Sequence, residues 1–441
     1  MQHSRRKFIK NAAITLTGLG VGSSIAIPAN ATPKIIAPSD KIVVGLIGCK
    51  GMGYSDIKAF IQHPDVVCAA LCDVDQNVLD ERLGNLDGNS GKKPAVYKDY
   101  RKLLEDRDID AVVIATPDHW HCLQTIDALE AGKDVYVEKP LANSIHECNM
   151  ILNAAERHNR VIQVGQWQRS DPHWQEAVNF VHSGKLGRIR LVKVWSYVGW
   201  KGALPTVQDE PVPPGVDYDM WLGPAPKRPF NRNRFHFTFR WFWDYAGGLM
   251  TDWGVHLLDY ALFGMKAYSP TSVISSGGKY AFPEDPMETP DTQQAIYEFD
   301  GFGMIWEHTI GIYGGNYGRG HGVAYIGENG TLVVDRNGWE VIPEIKNRTP
   351  LMEAVPLRKI EGKGLELHVR NFLDCMKTRE KPNAPVEIGA HIARIAHLGN
   401  IAYRTGSKIF WDANTNKVIN NEAAGKLLVP EYREPWKLPE Y

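Results

Sequence analysis

Gly48-Cys49-Lys50-Gly51-Met52-Gly53 stands between an apolar, β-rich run, KIVVGLIGC (41–49), and a helix-like stretch, YSDIKAFIQH. A glycine turn from strand to helix presents backbone amides and a partial positive charge to a phosphate. In the pattern G-x-G-x-x-G, Gly48 makes the tight turn and Gly53 lets the helix pack against the strand. Lys50 replaces the middle glycine, which normally admits a pyrophosphate. Gly51, displaced by one residue and followed by Met52, is the candidate to take over that approach, and the Lys50 ammonium can reach a phosphate. Asp73 ends the next apolar run, VVCAALCD, about twenty residues beyond Gly53, where a carboxylate hydrogen-bonds adenosine ribose hydroxyls. A carboxylate there repels a 2′-phosphate, so NAD is expected over NADP. Asp73 can also cap the following helix, and both roles can hold together.

Three further residues have the types needed for proton and hydride chemistry. Lys139 closes the run DVYVEK (134–139), and Pro140 restricts it to an extended conformation at the carboxyl end of a strand, the rim where ligands bind in open α/β sheets. An ammonium there can stabilise a developing alkoxide and pass a proton. Asp252 and His256 lie four apart in a helical stretch and share one face. An imidazole titrating near neutrality suits a general base. The plain alternatives are a solvated lysine, a capping aspartate and a buried structural histidine.

Elements able to position these residues follow from the apolar patterning. AVVIAT (111–116), DVYVEK and VIQVGQ (161–166) read as buried parallel strands, separated by helical segments such as HCLQTIDALEAG and SIHECNMILNAAERHN. This alternation predicts a doubly wound, Rossmann-type parallel sheet over 41–165, an α/β class. Beyond it, IRLVKVWSYVGW alternates as a strand, 204–229 is Pro-rich and irregular, and LMTDWGVHLLDYALFG reads as one helix. Several later strand-like pieces and a late helix, EIGAHIARIAHLGNIAYRTG, predict an α+β substrate domain over 166–410 with a large, mostly antiparallel sheet, followed by a polar tail, 411–441. A one-sided sheet leaves a face to cover, which fits a homodimer or homotetramer formed through it.

The N-terminus carries a different kind of signal. Ser4-Arg5-Arg6-Lys7-Phe8-Ile9-Lys10 precedes a mild apolar run that ends in Ala29-Asn30-Ala31, a twin-arginine export signal with a cleavage pattern. Residues 1–31 are therefore set apart as a signal peptide, 32–40 as an N-terminal arm, and a periplasmic location is expected. The signal holds four basic and no acidic side chains, so the formal net charge of −1 becomes −5 without it. That balance disfavours nucleic acid or an anionic membrane surface as partner. No later apolar run is long enough to span a bilayer, so no stable membrane span is expected. Cys49, Cys68, Cys72, Cys122, Cys148 and Cys375 show neither zinc-site nor disulfide-scaffold spacing, and buried free thiols are expected. No metal cage is expected either.

GLIGCKGMG, ATPDHWH (115–121), EKP (138–140) and DWGVH (252–256), in this order, resemble the glucose–fructose oxidoreductase/inositol dehydrogenase/MocA family of nicotinamide-dependent sugar and polyol oxidoreductases. The resemblance covers nearly all of the chain after the signal. It implies that Lys139 lies beside the nicotinamide and contacts the reacting hydroxyl, that His256 is the general base, and that Asp252 orients substrate or imidazole. It also places Thr116, Pro117, His121, Glu138 and Gln166 at the cofactor, with Asp118 standing where asparagine is common in the family. Arg169 falls in the segment that lines the nicotinamide end. Trp167, Arg240, Trp241, Trp243 and Tyr245 are candidate sugar platforms, each weighed against a place in an aromatic core.

An exported nicotinamide enzyme meets no free nicotinamide pool outside the cytoplasm. The expected function is hydride transfer between a sugar, polyol or glycoside and a tightly retained NAD, for which glucose–fructose oxidoreductase is the family precedent. The alternative is a redox-neutral, NAD-dependent glycosidase or lyase that oxidises its sugar only transiently. A third reading, from another class, is a non-catalytic sugar- and NAD-binding protein.

Overall fold

The computed structural model describes residues 40–86, 93–360, 362–419 and 421–441. The expected signal peptide, 1–31, and all of the expected arm except Asp40 lie outside the described residues. The first half alternates strands and helices. In order these are β1 (Ile42–Ile47), α1 (Met52–Ile61), β2 (Val66–Cys72), α2 (Gln76–Asn85), β3 (Ala95–Tyr97), α3 (Tyr100–Leu104), β4 (Ala111–Ile114), α4 (His121–Glu130), β5 (Asp134–Val137), α5 (Ile145–His158) and β6 (Ile162–Val164). The six strands form one parallel sheet ordered β3-β2-β1-β4-β5-β6, whose direction of growth reverses between β1 and β4. Ligands bind at such a switch point, outside the carboxyl ends of the strands. Gly48, Thr116 and Lys139 all follow those ends. Strands buried on both faces explain the unbroken apolar runs (Val112, Val113 and Ile114 are fully buried). β3 was not read from the sequence, because its three residues are exposed or half-buried at the sheet edge.

The second half begins with α6 (Pro172–His182), β7 (Leu191–Val198) and α7 (Tyr218–Leu222). The single helix expected over 249–264 is two, α8 (Gly248–Asp252) and α9 (Gly254–Met265), joined through Trp253. Trp253 keeps helical backbone angles, so Asp252 and His256 still sit about one turn apart. There follow β8 (Ser272–Gly278), β9 (Thr292–Phe299), β10 (Phe302–Ile310), β11 (His321–Ile326), β12 (Gly330–Asp335), β13 (Gly338–Pro343), a small β14 (Ile345–Lys346) and β15 (Thr349–Pro350) ribbon, β16 (Val355–Lys359), α10 (Gly364–Thr378), α11 (Val386–Thr405), β17 (Ile409–Asp412), β18 (Lys417–Ile419) and α12 (Glu422–Lys426). Ten strands build one sheet, β16-β13-β12-β11-β7-β10-β9-β8-β17-β18, parallel only between β7 and β10. One face packs on α6, α9 and α11 around Trp174, Trp306, Tyr260 and Tyr297. The whole is an α/β molecule with a Rossmann half and a mostly antiparallel half.

Two helices tie the halves together. α11 places Ala390 and Ala393 against the parallel sheet's packing and Ile392 and Ile395 in the core of the large sheet. α10 packs Val369, Phe372 and Leu373 on α1 and the far face of the parallel sheet. The Rossmann half is therefore completed by chain from well beyond residue 165. Nor is 411–441 a free polar tail. β17 and β18 extend the large sheet, Trp436 meets Trp120 edge-on at 4.9 Å, and the Tyr432 hydroxyl donates to buried Glu147 at 2.6 Å. These scattered aromatics have no period to read, but each finds an apolar or hydrogen-bonding partner, Trp436 in the turn just before α4 and Tyr432 on α5. All six cysteines are buried and free. Among the described residues no helix is long and apolar enough to cross a membrane, and no group of His, Cys, Asp and Glu could hold a metal ion.

Candidate active site

A cavity of about 790 Å³ runs from the glycine turn to the carboxyl end of β5, walled on its far side by α8, α9 and the irregular aromatic segment. Gly48, Lys50, Gly51, Met52 and Asp73 line it, as do Thr116 and Pro117. Glu138, Lys139, Trp167, Arg240, Asp252 and His256 line the reaction end. Gly48 has φ +88°, and a Cβ there would come within 2.7 Å of the Ala115 backbone. A Cβ on Gly53 would stand 2.0 Å from the Gly48 carbonyl oxygen, so Gly53 does its work by letting α1 close on β1, not by facing the cavity. Asp73 accepts from the amides of Cys49 at 2.8 Å and Asp75 at 3.0 Å. Each carboxylate oxygen thereby holds the turn and keeps further acceptor capacity. The helix cap beside it is Asp75, which accepts from Asn77.

At the reaction end, the Lys139 ammonium donates to the Asp252 carboxylate at 2.7 Å, and Arg240 approaches the same oxygen at 3.3 Å. Burial alone would raise the Asp252 carboxyl, but Lys139 and Arg240 outweigh it and hold it well below the ordinary carboxylate range. His256 is pulled well below the ordinary imidazole value by burial and then by Lys139 and Arg336, so it is neutral near pH 7. Its Nδ1 is buried without a protein partner. Burial pushes Asp118 and Glu138 up to about 7 against the opposing pull of neighbouring cations.

Other candidate residues lie outside the cavity. His121 sets its two ring nitrogens 2.7 Å from the Pro140 carbonyl and 2.9 Å from that of Thr116. It braces the two loops that carry Thr116 and Lys139. Gln166 is buried and turns its amide to the Val255 carbonyl. Arg169 forms a bidentate pair with buried Asp259, 2.6 Å at its shortest. Trp241 and Tyr245 belong to an aromatic core with Trp221 and Phe235, and Trp243 donates to the Glu288 carbonyl under Arg404. A cluster this dense in aromatics buries itself before it can offer sugar faces. Cavity residues the sequence reading passed over include Trp253, Arg336, Arg82 and His236. Trp253 lies inside the DWGVH stretch already singled out. Arg336, in a distant hairpin turn, carries no motif.

The glycine turn, the carboxylate after β2 and the lysine after β5 line one dinucleotide-binding cleft of the Rossmann type. The chain belongs to the glucose–fructose oxidoreductase/inositol dehydrogenase/MocA family. Residues 42–166 match the oxidoreductase family's NAD-binding Rossmann fold, and residues 180–438 match its C-terminal alpha/beta domain. The chain is 35% identical over 202 residues to an alpha-N-acetylgalactosaminidase of Shewanella oneidensis, a match covering 42% of this chain and 44% of that protein. The chain thus spans less than half the length of that relative. Among solved structures it is similar to levoglucosan dehydrogenase in complex with NADH and levoglucosan (TM-score 0.63, 19% identity, 84% of this chain and 99% of that one). It is also similar to the WlbA dehydrogenase of Bordetella pertussis in complex with NADH and UDP-GlcNAcA (TM-score 0.62, 19% identity, 84% and 99%). These two likenesses are of fold.

NAD is the cofactor, and the residues present fit it: Gly48 and Gly51 at positive φ in the turn, the N-terminus of α1 and Lys50 would face the phosphates, and Asp73 would take the ribose. Arg82, which lines this end of the cavity, already donates to the Cys49 carbonyl at 3.1 Å and to Glu81 at 2.9 Å. Protein stripped of nucleotide should therefore bind NAD more tightly than NADP, and Asp73→Asn should narrow the gap. Calorimetric titration with both nucleotides measures this, and equal or tighter NADP binding by the wild type would refute the ribose role of Asp73.

Proposed function

We propose that the protein oxidises a carbohydrate carbinol, or reduces the corresponding ketone, with NAD. The observation that carries this is the Lys139–Asp252 pair at 2.7 Å, in one cavity with neutral His256 and the glycine turn. NAD, when bound, supplies the hydride acceptor. The chain's residues manage the proton: His256 accepts it from the substrate hydroxyl, and the Lys139 ammonium stabilises the alkoxide that forms. Asp252 keeps Lys139 aimed. Similarity to an alpha-N-acetylgalactosaminidase supports a second reading, in which the sugar is oxidised only transiently and a glycosidic bond breaks without net redox change. Lys139→Met should lower turnover by roughly 10²–10⁴ with NAD binding largely retained. A screen of sugars and glycosides, following bound nicotinamide absorbance and then products, separates the readings. Accumulated ketone marks net oxidation, whereas free aglycone without ketone marks the second reading. Near-wild-type turnover by Lys139→Met would remove that lysine from the mechanism.

We further propose that the protein is exported to the periplasm through its twin-arginine sequence with NAD already bound. Retention against dilution requires a dissociation constant of roughly nanomolar, about −12 kcal/mol. The cavity has a covering segment suited to this. Asp75 bridges Val216, Gln76 donates to the Gly215 carbonyl at 3.0 Å, and His236 meets the Asp75 carboxylate at 2.9 Å. Periplasmic protein should carry NAD through extensive dialysis, as read by mass spectrometry, and His236→Ala should lose it faster. An empty site in freshly isolated periplasmic protein would defeat this account.

Self-association as a homodimer or homotetramer through the large sheet is supported by Ile274, Ile296, Phe410 and Ile419, all exposed on its strands. Ile274 and Ile296 are cross-strand partners. Sedimentation velocity should show an assembly that Ile296→Glu weakens. A wild-type monomer at micromolar concentration would contradict it.

A further inference from the structure

Arg336 occupies the turn between β12 and β13, and its guanidinium lines the cavity that holds Lys139 and His256. It lies 4.8 Å from the ring centroid of Trp167 and 4.6 Å from that of Trp253. With rings against the guanidinium, its in-plane N–H groups are the donors left to a ligand. Among the described residues no carboxylate pairs with it, and its Nε is buried with no partner. Two other arginines withdrawn from water have carboxylate partners. Arg169 has Asp259 at 2.6 Å, and Arg319 takes both Asp335, the residue beside Arg336, and Glu340. Asp252 is already shared between Lys139 and Arg240.

The charge balance of the reaction end points the same way. Lys139, Arg240 and Arg336 face one firmly ionised carboxylate, Asp252, while burial pushes Asp118 and Glu138 up to about 7. Burial also pulls Arg336 down to about 10, and the more distant Asp252, already shared by Lys139 and Arg240, only partly opposes it. A buried guanidinium without an anion is costly, and a planar carboxylate matches its fork.

We propose that Arg336 is the anchor for a substrate carboxylate, so that the site takes an acidic sugar, a uronate or aldonate, with its reacting carbinol against Lys139 and His256. This rests on the carbohydrate reading given above.

The test is calorimetric titration of NAD-loaded protein with the methyl glycosides of glucuronate and galacturonate, each against its neutral hexose counterpart. At least one uronide should bind about 10- to 100-fold tighter than its neutral partner, the range of hydrogen bonds to charged groups. Arg336→Gln should collapse that ratio towards one, and Arg336→Lys, which keeps charge but loses the fork, should restore part of it. A purely structural arginine would weaken both ligands alike and leave the ratio intact. Uronides that bind no better than neutral glycosides, or a ratio that survives Arg336→Gln, overturn the anchor. If the glutamine variant does not fold, an unchanged ratio in Arg336→Lys does the same. Bound nicotinamide absorbance is read in parallel. Arg336-dependent uronide binding with no absorbance change for any sugar keeps the anchor and removes the oxidoreductase reading. Absorbance change with neutral sugars alone does the reverse.

Discussion

The Lys139–Asp252 ion pair joins the end of β5 in one half of the molecule to α8 in the other, with both side chains mostly withdrawn from water. Such a pair is stable only while both charges are present and held in register, because removing either leaves an uncompensated buried charge. Much of the surrounding structure keeps that register. His121 clamps the Pro140 carbonyl, so the loop bearing Lys139 cannot drift from the loop bearing Thr116. Arg240 holds the Asp252 oxygen from the other side. Trp253 keeps the α8–α9 junction helical, which leaves His256 one turn from Asp252.

The two halves must therefore stay rigidly apposed, and their connections are built for it. α11 contributes to both cores, and α10 returns from the large-sheet half to cover the parallel sheet. The segment around Val216 adds a short antiparallel bridge at Asp75, close to the carboxylate that would hold the ribose. The cleft between the halves is thus closed by backbone hydrogen bonds as well as side chains. Preformed walls avoid the affinity lost to loop ordering on each binding event.

Electrostatics divides the cavity by function. Near the glycine turn, backbone amides and the α1 terminus supply diffuse positive potential. At the reaction end, discrete cations crowd a desolvated space, which keeps His256 neutral and able to accept a proton. The same crowding would repel a cationic substrate and favour an anionic one.

Local sequence determined a good deal here. Apolar runs bounded by glycine, proline and aspartate sufficed for five of the six parallel strands and their helices, because strands buried on both faces need continuous apolar residues. The glycine turn, Asp73, Lys139, Asp252 and His256 were legible because each lies at a fixed offset from such an element. The edge strand β3, the covering role of α10 and the docking of Trp436 were not, since a short edge and a lone aromatic have no period. Composition could not sort the aromatic segment either: Trp241 and Tyr245 went to the core, whereas Arg240, one residue from Trp241, reached the cavity. Arg336 shows the limit most plainly. Nothing in the turn Asp335-Arg336-Asn337-Gly338 marks it, and only the packing of β12 and β13 against α6 carries its guanidinium to Trp167 and Trp253, where long-range packing rather than local spacing decides which charge is left unpaired.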